Sequence, residues 1–458
     1  MSERLPNGWI ETYLADVCTH PQYGWTSSAT SNGKIRLLRT TDISNGKINW
    51  KKVPYCETES ADLNKFLINE NDILVSRAGS VGISYRIKKG DLLHQTVFAS
   101  YLIRFCPLVL PASFIEYFLK SHQYWSFISD SQLGIAVPNV NATKLSQLPI
   151  LLPPLNEQKR IVAKLDAIMP RIEAVKARLE KVPVILKRFR QSVLTAAVTG
   201  KLTEKWRKEH PEVGEWREKK LGDILDSGPQ NGLYKSQDFY GSGVLILRID
   251  NFYNGLINSW DSLKRLVVSE SEKDTYELNN GDIVINRVNS MPFLGKSALV
   301  RNLNEICVFE SNMMRIKVDK KAVNPEFLIR YLNCHHGLAE LRKNAKHAVN
   351  QSSINQQDVK AVICPLPPLE EQKEIVRQVD KLFALADKVE AHYQQAQARV
   401  DKLAQSVLAK AFRGELVPQD PNDEPAEKLL ERVLAEKAKM ENEKKMISRS
   451  ARRTQRKK

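Results

Sequence analysis

The sequence predicts an α+β protein in which two similar globular modules stand at opposite ends of an intramolecular antiparallel coiled coil of two long helices, a pseudo-two-fold molecule. Three observations lead there: an internal repeat, an apolar seam in each copy of it, and the connectivity between the copies. The repeat pairs Leu152-Pro153-Pro154-Leu155-Asn156-Glu157-Gln158-Lys159 with Leu366-Pro367-Pro368-Leu369-Glu370-Glu371-Gln372-Lys373. The offset of 214 then holds without a gap through Gly200 and Gly414, with 19 identities in the 51 positions from 152 to 202, where chance supplies only a few.

In the first copy Ile161, Leu165, Ile168, Ile172, Val175, Leu179, Val182, Leu186, Phe189 and Val193 alternate steps of four and three, and all are apolar. The second copy repeats the pattern at Ile375, Val379, Leu382, Ala386, Val389, Tyr393, Ala396, Val400, Leu403 and Val407. Such an a/d seam is narrower than the apolar face of a surface helix, so each copy reads as a long coiled-coil helix, with a seam roughly 48 Å long at about 1.5 Å per residue. Each Pro-Pro pair forces an extended entry, and Gly200 and Gly414 stand where a helix ends. Pro170 and Pro183 predict kinks in the first helix; the second contains no proline and reads as straight. A seam alone also fits a homodimer of separate chains. Connectivity favours one chain: residues 207–365 leave the end of the first helix and feed the start of the second, so one compact module there makes the two helices antiparallel.

The segments ahead of each helix echo one another with a drifting offset. Gly8-Trp9 matches Glu215-Trp216, Arg39 through Asn45-Gly46 matches Arg248 through Asn254-Gly255, and Asp72-Ile73-Leu74 with Arg77 matches Asp282-Ile283-Val284 with Arg287. Strand-like runs at 35–38, 72–75, 97–103, 244–249 and 282–285 alternate with Gly, Asn and Ser turns, and helices are expected at 114–119 and 326–332. The chain therefore divides into a module at 1–151, a helical spacer at 152–206, a second module at 207–365, a second spacer at 366–416 and a helical, basic, partly disordered tail at 417–458.

With 458 residues, 42% of them hydrophobic, the chain has material for several cores. No apolar run approaches the roughly 18 residues of a membrane helix, and the first residues lack a signal peptide's apolar stretch, so a cytoplasmic protein is expected. The six cysteines are scattered without a C-x-x-C pair and read as reduced structural thiols. A net charge of +16 favours a polyanionic partner such as nucleic acid, or is simply a solvated basic surface. Residues 157–206 hold twelve basic and five acidic side chains, whereas 370–416 hold eight of each. The more basic helix faces either DNA or a partner protein.

Catalytic motifs fail one by one. Gly295-Lys296-Ser297 resembles the end of a phosphate-binding loop, but position 290, where the motif needs glycine, is Ser290. Asn324-Pro325-Glu326-Phe327 resembles the N-P-P-F/Y loop of adenine methyltransferases, yet its third residue is Glu, no glycine-rich cofactor loop accompanies it, and a helix cap explains it better. His335-His336 beside Cys334 has no further ligand spacing for a metal.

The pair L-P-P-L-x-E-Q-K, each followed by a seam helix, then Lys187–Leu194 (KRFRQSVL), Ala197–Trp206 (AVTGKLTEKW) and Ala409–Leu416 (AKAFRGEL), resembles the specificity subunit of type I restriction-modification enzymes over nearly the whole chain. The resemblance implies a non-catalytic subunit whose two target-recognition domains each read half of a split DNA site, with the helices as ruler and docking surface. It also implies two modification subunits that carry S-adenosylmethionine and methylate adenine, and restriction subunits that use ATP and magnesium, so no cofactor belongs to this chain. A coiled-coil adaptor and a self-contained DNA methyltransferase are the alternatives. The candidate DNA-binding residues are Arg39, Thr40, Arg77, Ser80, Asn139, Asn141, Arg248, Arg287, Asn289, Lys296, Lys346, Asn350 and Gln351, in or beside the turn-rich stretches 76–82, 134–141, 286–295 and 343–352. Arginine there contacts phosphates or takes guanine O6 and N7, or else forms a structural ion pair.

Overall fold

The computed structural model describes residues 5–44, 46–57, 63–132, 139–348 and 351–455. Two compact units result, one from residues up to Leu179 together with those from Ala396 onward, the other from Glu180–Gln395. The first repeat helix is α1 (Leu155–Leu179) followed by α2 (Val182–Val198). The second is a single helix of 44 residues, α3 (Leu369–Phe412), and the tail forms α4 (Ala426–Gln455).

The two prolines act differently on the first repeat helix. Pro170 lies inside α1 without ending it, whereas the chain breaks at Glu180-Lys181, just ahead of Pro183 in the first turn of α2. A proline near a helix start removes an N–H that has no partner there anyway, so Pro183 starts a helix more cheaply than it continues one.

Helix pairing is antiparallel within each unit. In the first, Ile161, Leu165, Met169 and Ile172 of α1 share a core with Ala404, Leu408, Ala411 and Phe412 of α3, and Lys176 meets Asp401 at 2.8 Å. In the second, Val193, Leu194, Ala197 and Val198 of α2 pack with Ile375 and Val379, and Arg190 reaches both Asp387 and Glu390 at 2.7 Å. Not every seam position is closed. Val175, Val389 and Leu403 remain 41%, 42% and 51% exposed, whereas Leu186 and Ala386 on the same seams are buried.

Each unit carries the same two small sheets. In the first unit one sheet orders β2 (Ile73–Ser76) between Ser84–Arg86 and β4 (Leu102–Phe105), with Gln22–Tyr23 beyond, all antiparallel. The other sheet sets β1 (Ile35–Leu38) parallel to β3 (Thr96–Phe98). The second unit repeats this: β6 (Ile283–Asn286) lies between Ser297–Leu299 and β8 (Met313–Val318), while β5 (Tyr240–Leu247) runs parallel to β7 (Cys307–Phe309). The expected single strand at 97–103 is two strands of different sheets. The chain reverses between them, Leu102 donating back to the Ala99 carbonyl at 2.8 Å, and alternation alone cannot mark a corner where both flanking runs are fully buried. The expected helices are present as Ala112–Phe118 and Pro325–Asn333, the latter capped by Asn324 with Pro325 in its first turn.

The Pro-Pro-Leu-x-Glu-Gln motif has a structural reason. Gln158 turns back to donate to the Pro153 carbonyl at 2.9 Å, and Gln372 does the same to Pro367 at 2.8 Å. Glu157 accepts from the Trp9 indole at 3.0 Å, and Glu371 from the Trp216 indole at 2.8 Å. Both carboxylates and both amides are buried, so these bonds fasten the start of each module to the start of its helix in a water-free place. The two locks differ in one respect. Glu371 also receives the Thr203 hydroxyl at 2.7 Å and the Arg207 guanidinium at 2.9 Å, whereas Oε1 of Glu157 is buried with no hydrogen-bond partner. Burial accordingly holds the Glu157 carboxyl above its usual range, against the Trp9 bond that lowers it.

Replacing Glu371 by Gln removes the charge that pairs with Arg207, which keeps its bond to the Gly200 carbonyl, and is expected to lower unfolding stability by about 1–3 kcal/mol, whereas Glu157→Gln leaves stability at pH 7 unchanged or raised. A carboxyl raised by folding binds its proton before the unfolded chain does, so Glu157 adds stability as pH falls from neutral toward its unfolded value. Thermal denaturation across pH is expected to show that gain in the wild type and its loss in Glu157→Gln.

Candidate nucleic-acid interface

Arginines that the sequence spaces far apart converge at the same strand ends in each unit. In the first, Arg39 follows β1 and Arg77 follows β2, and the Ser76 hydroxyl donates to that of Thr40 at 3.2 Å, joining the two turns. The N–H of Arg77 donates to the Tyr101 carbonyl at 2.9 Å, and its own carbonyl accepts from Val140 at 3.0 Å. In the second unit Arg248 follows β5 and Arg287 follows β6. The N–H of Arg287 donates to Asn312 and its carbonyl accepts from Ile354, each at 2.9 Å. Arg77 and Arg287 thus occupy one position of a shared framework. A glycine marks the same framework in each: a Cβ on Gly24 would run into the carbonyl oxygens of Phe98 and Ala99, and one on Gly232 into those of Phe309 and Glu310.

The guanidinium groups are only partly satisfied. Arg77 lies 5.0 Å from the Tyr23 ring centre, Arg287 donates through Nη1 to the Ser311 carbonyl at 3.2 Å, and in both Nε is buried without a partner. A buried donor left unpaired costs free energy unless a ligand pairs it. Arg39 and Arg248 are ion-paired instead. Nε and Nη2 of Arg39 bond the two oxygens of Asp42 at 3.0 and 3.1 Å, which raises the guanidinium above its usual range. Arg248 meets Glu310 through Nε alone at 3.4 Å.

The remaining candidates scatter in accessibility. Ser80, Lys346 and Gln351 are exposed, the last two on the hairpin of Lys346–Ala348 and Gln351–Ser353. Asn289 lies on the strand paired to that hairpin and accepts from Ser290 at 2.8 Å; Asn139 bridges to Ala78 with a buried, unpartnered Oδ1. Asn141 caps the helix Ala142–Ser146, accepting from Lys144 at 2.8 Å. Asn350, with residues 134–138 of the loop at 134–141, lies outside the described residues.

Thr40 and Lys296 are placed inside their units rather than on the surface. Lys296 donates to the Ile249 carbonyl at 2.7 Å among the rings of Phe252, Tyr253 and Phe293, its ammonium 3.8 Å from the Tyr253 centre. Burial pulls it down to about 8. Its fixed bond joins the turn after β5 to the turn after β6. What the sequence did not disclose are the partners: Tyr101 and Asn312 accept through backbone carbonyls and the Glu310 carboxylate comes from a residue 62 positions away, while Asp42 lies only three residues from Arg39. Exposed aromatics were missed too, Tyr101 at 62% and Tyr234 at 79%, since a lone tyrosine in a loop carries no pattern.

All six cysteines are free, five of them buried, and burial pushes the thiols up, Cys106 to about 11 and Cys307 to about 12. Among the described residues no group of three or more His, Cys, Asp or Glu is placed to hold a metal ion, and no helix is long and apolar enough to cross a membrane.

One α+β module is thus repeated, each copy on its own stretch of paired helix with arginines directly after equivalent strands. The type I restriction modification DNA specificity domain matches residues 6–184 and 214–397, and the chain belongs to that family, as a specificity subunit of a type I restriction-modification system. It is 32% identical over 456 residues to the EcoKI specificity subunit of Escherichia coli K12, covering 95% of this chain and 97% of that one. It is 33% identical over 459 residues to the StySPI specificity subunit of Salmonella potsdam, covering 95% and 96%. In fold it resembles a solved chain of the type I R-M system, with a TM-score of 0.69 at 20% identity over 90% of this chain and 100% of the other. The HsdS subunit from Thermoanaerobacter tengcongensis gives a TM-score of 0.53 at 20% identity over 91% and 99%.

Because its amine is enclosed, Lys296→Met is expected to destabilise the second unit by about 1–3 kcal/mol, whereas Lys346→Met changes stability by no more than about 0.5 kcal/mol. Chemical denaturation of the two variants measures the difference.

Proposed function

We propose that this chain reads a bipartite site on duplex DNA, one half through each unit, and directs adenine methylation and restriction performed by partner subunits in the cytoplasm. The observation that carries the reading is the duplicated framework in which Arg77 and Arg287 hold matching buried, unpartnered Nε groups beside a second arginine, Arg39 or Arg248. Arginines grouped over strand-end turns suit phosphate and base-edge contacts, and the exposed Ser80, Lys346 and Gln351 extend those surfaces. Asn139, Asn141, Asn289 and Asn350 are proposed contacts of the same kind, with Thr40 and Lys296 supporting the turns from within.

S-adenosylmethionine, ATP and magnesium then belong to two modification subunits and to restriction subunits, which bring the chemistry. In the second unit Val184, Ile185, Leu385 and Val389 expose 42–60% of their surfaces on the paired helices, and exposed apolar side chains there suit docking by the modification subunits.

The helices also act as the ruler. A seam of roughly 48 Å corresponds to about 14 base pairs, and readers on one face of the duplex favour half-sites about one turn apart, giving a gap of about 5 to 8 unspecified base pairs. Inserting four residues after Ala177, matched by four after Arg399 on the facing stretch of α3, lengthens both helices by about 6 Å while nearly keeping helical phase. Mapping methylated adenines in cells carrying the variant with its partner subunits is expected to give the same half-sites with a gap longer by about two base pairs. Altered half-site bases at the original gap would overturn the ruler.

A further inference from the structure

The two units hold their equivalent arginines in different ways, and the difference bears on what each reads. Arg39 and Arg248 both stand directly after the central strand of the parallel pair, and each donates its backbone N–H to the side chain three residues on, Asp42 at 2.9 Å and Asn251 at 2.8 Å. In the first unit that side chain is a carboxylate. Asp42 is 6% exposed, and its two oxygens take Nε and Nη2 of Arg39 in a side-on, two-point pair. In the second unit Asn251 supplies no charge, and the carboxylate comes from Glu310, which spends Oε1 on the Ile249 N–H at 2.6 Å and touches Arg248 at a single atom.

A guanidinium has two donor edges. The side edge is Nε with one hydrogen of Nη2; the end edge is Nη1 with the other hydrogen of Nη2. Asp42 occupies the side edge of Arg39 completely, which fixes the plane of the group and removes most of the rotamer entropy that a bound arginine otherwise loses. The end edge has no partner among the described residues, and the side chain is 40% exposed. Two parallel N–H donors held at fixed separation match the O6 and N7 acceptors of guanine in the major groove, a pattern that no other base presents there. Arg248, held at one atom, keeps a guanidinium that can turn.

We propose that Asp42 is a positioning residue that presents the end edge of Arg39 to one guanine of the half-site read by the first unit, whereas Arg248 contributes less base discrimination to the other half. The proposal rests on the reading of each unit as a DNA-recognition module and adds the base and the residue pair that selects it.

The assembled methyltransferase, this chain with its modification subunits, supplies the test. Its site is first read from methylated adenines, and each guanine is then replaced by 7-deazaguanine, which lacks the N7 acceptor. In the wild type one replacement in one half-site is expected to weaken binding about tenfold or more, as loss of a bidentate contact implies. With Arg39→Ala the same replacement has no further effect, and discrimination at that position falls about ten- to hundredfold while the other half-site is read as before. Asp42→Asn keeps the cap through its amide oxygen and the arginine itself, yet faces it with an amide nitrogen, so discrimination at the same guanine relaxes while affinity for non-specific duplex is kept or raised. Glu310→Gln leaves that guanine unaffected. A site in which Arg39→Ala changes no base preference, or in which Asp42→Asn lowers thermal stability without relaxing any base, overturns the proposal. Failure of the underlying reading looks different: methylation would then not depend on a bipartite sequence at all.

Discussion

Everything in this chain depends on how each module is fastened to its helix. The entry is a rigid Pro-Pro, and the first turn of the helix that follows carries a buried Glu and a buried Gln. The Glu is claimed by a tryptophan from the start of the module, and the Gln by the carbonyl of the first proline. Once these bonds are made, the strand after the tryptophan pairs with the strand before the prolines: Ile10–Tyr13 runs antiparallel to Pro149–Leu152, and Arg217–Lys220 to Ile363–Leu366. Each module is thereby closed on itself beside its helix, and its interior turns can diverge without disturbing the junction. That separation lets the two copies differ in their turns while sharing one kind of junction.

The scaffold was the legible part. A seam repeated at a fixed offset requires long helices, and the prolines and glycines at 153, 154, 200 and their counterparts mark the ends through backbone geometry alone, Gly200 and Gly414 having φ of 73° and 75°. Seam patterning overstated closure, however. Val175, Val389 and Leu403 fit the heptad and still face outward, because apolar spacing records which face is sticky and not which neighbour covers it.

The modules were legible in outline and less so in detail. Their equivalence emerged from short echoes around Arg39 and Arg248, or Asp72 and Asp282, and the structure gives these echoes matching places. Arg104 and Arg315 add another pair that sequence comparison passed over, each bonded to a glutamine of the preceding edge strand, Gln22 or Gln230. Accessibility could not be read in the same way. Lys296 looks like a phosphate-binding lysine in a Gly-Lys-Ser turn, and three aromatic rings that enclose it arrive from 252, 253 and 293. Desolvation of that amine is a tertiary effect, so no local pattern announces it.

The central proposal is that this one chain selects both halves of a split site and the distance between them. Genome-wide mapping of methylated adenines, in cells that hold the modification subunits with and without this chain, tests it most directly. The account predicts a single bipartite motif with a gap of about 5 to 8 base pairs that is present only with the chain. A motif that persists without the chain, or one that is continuous rather than split, would contradict it.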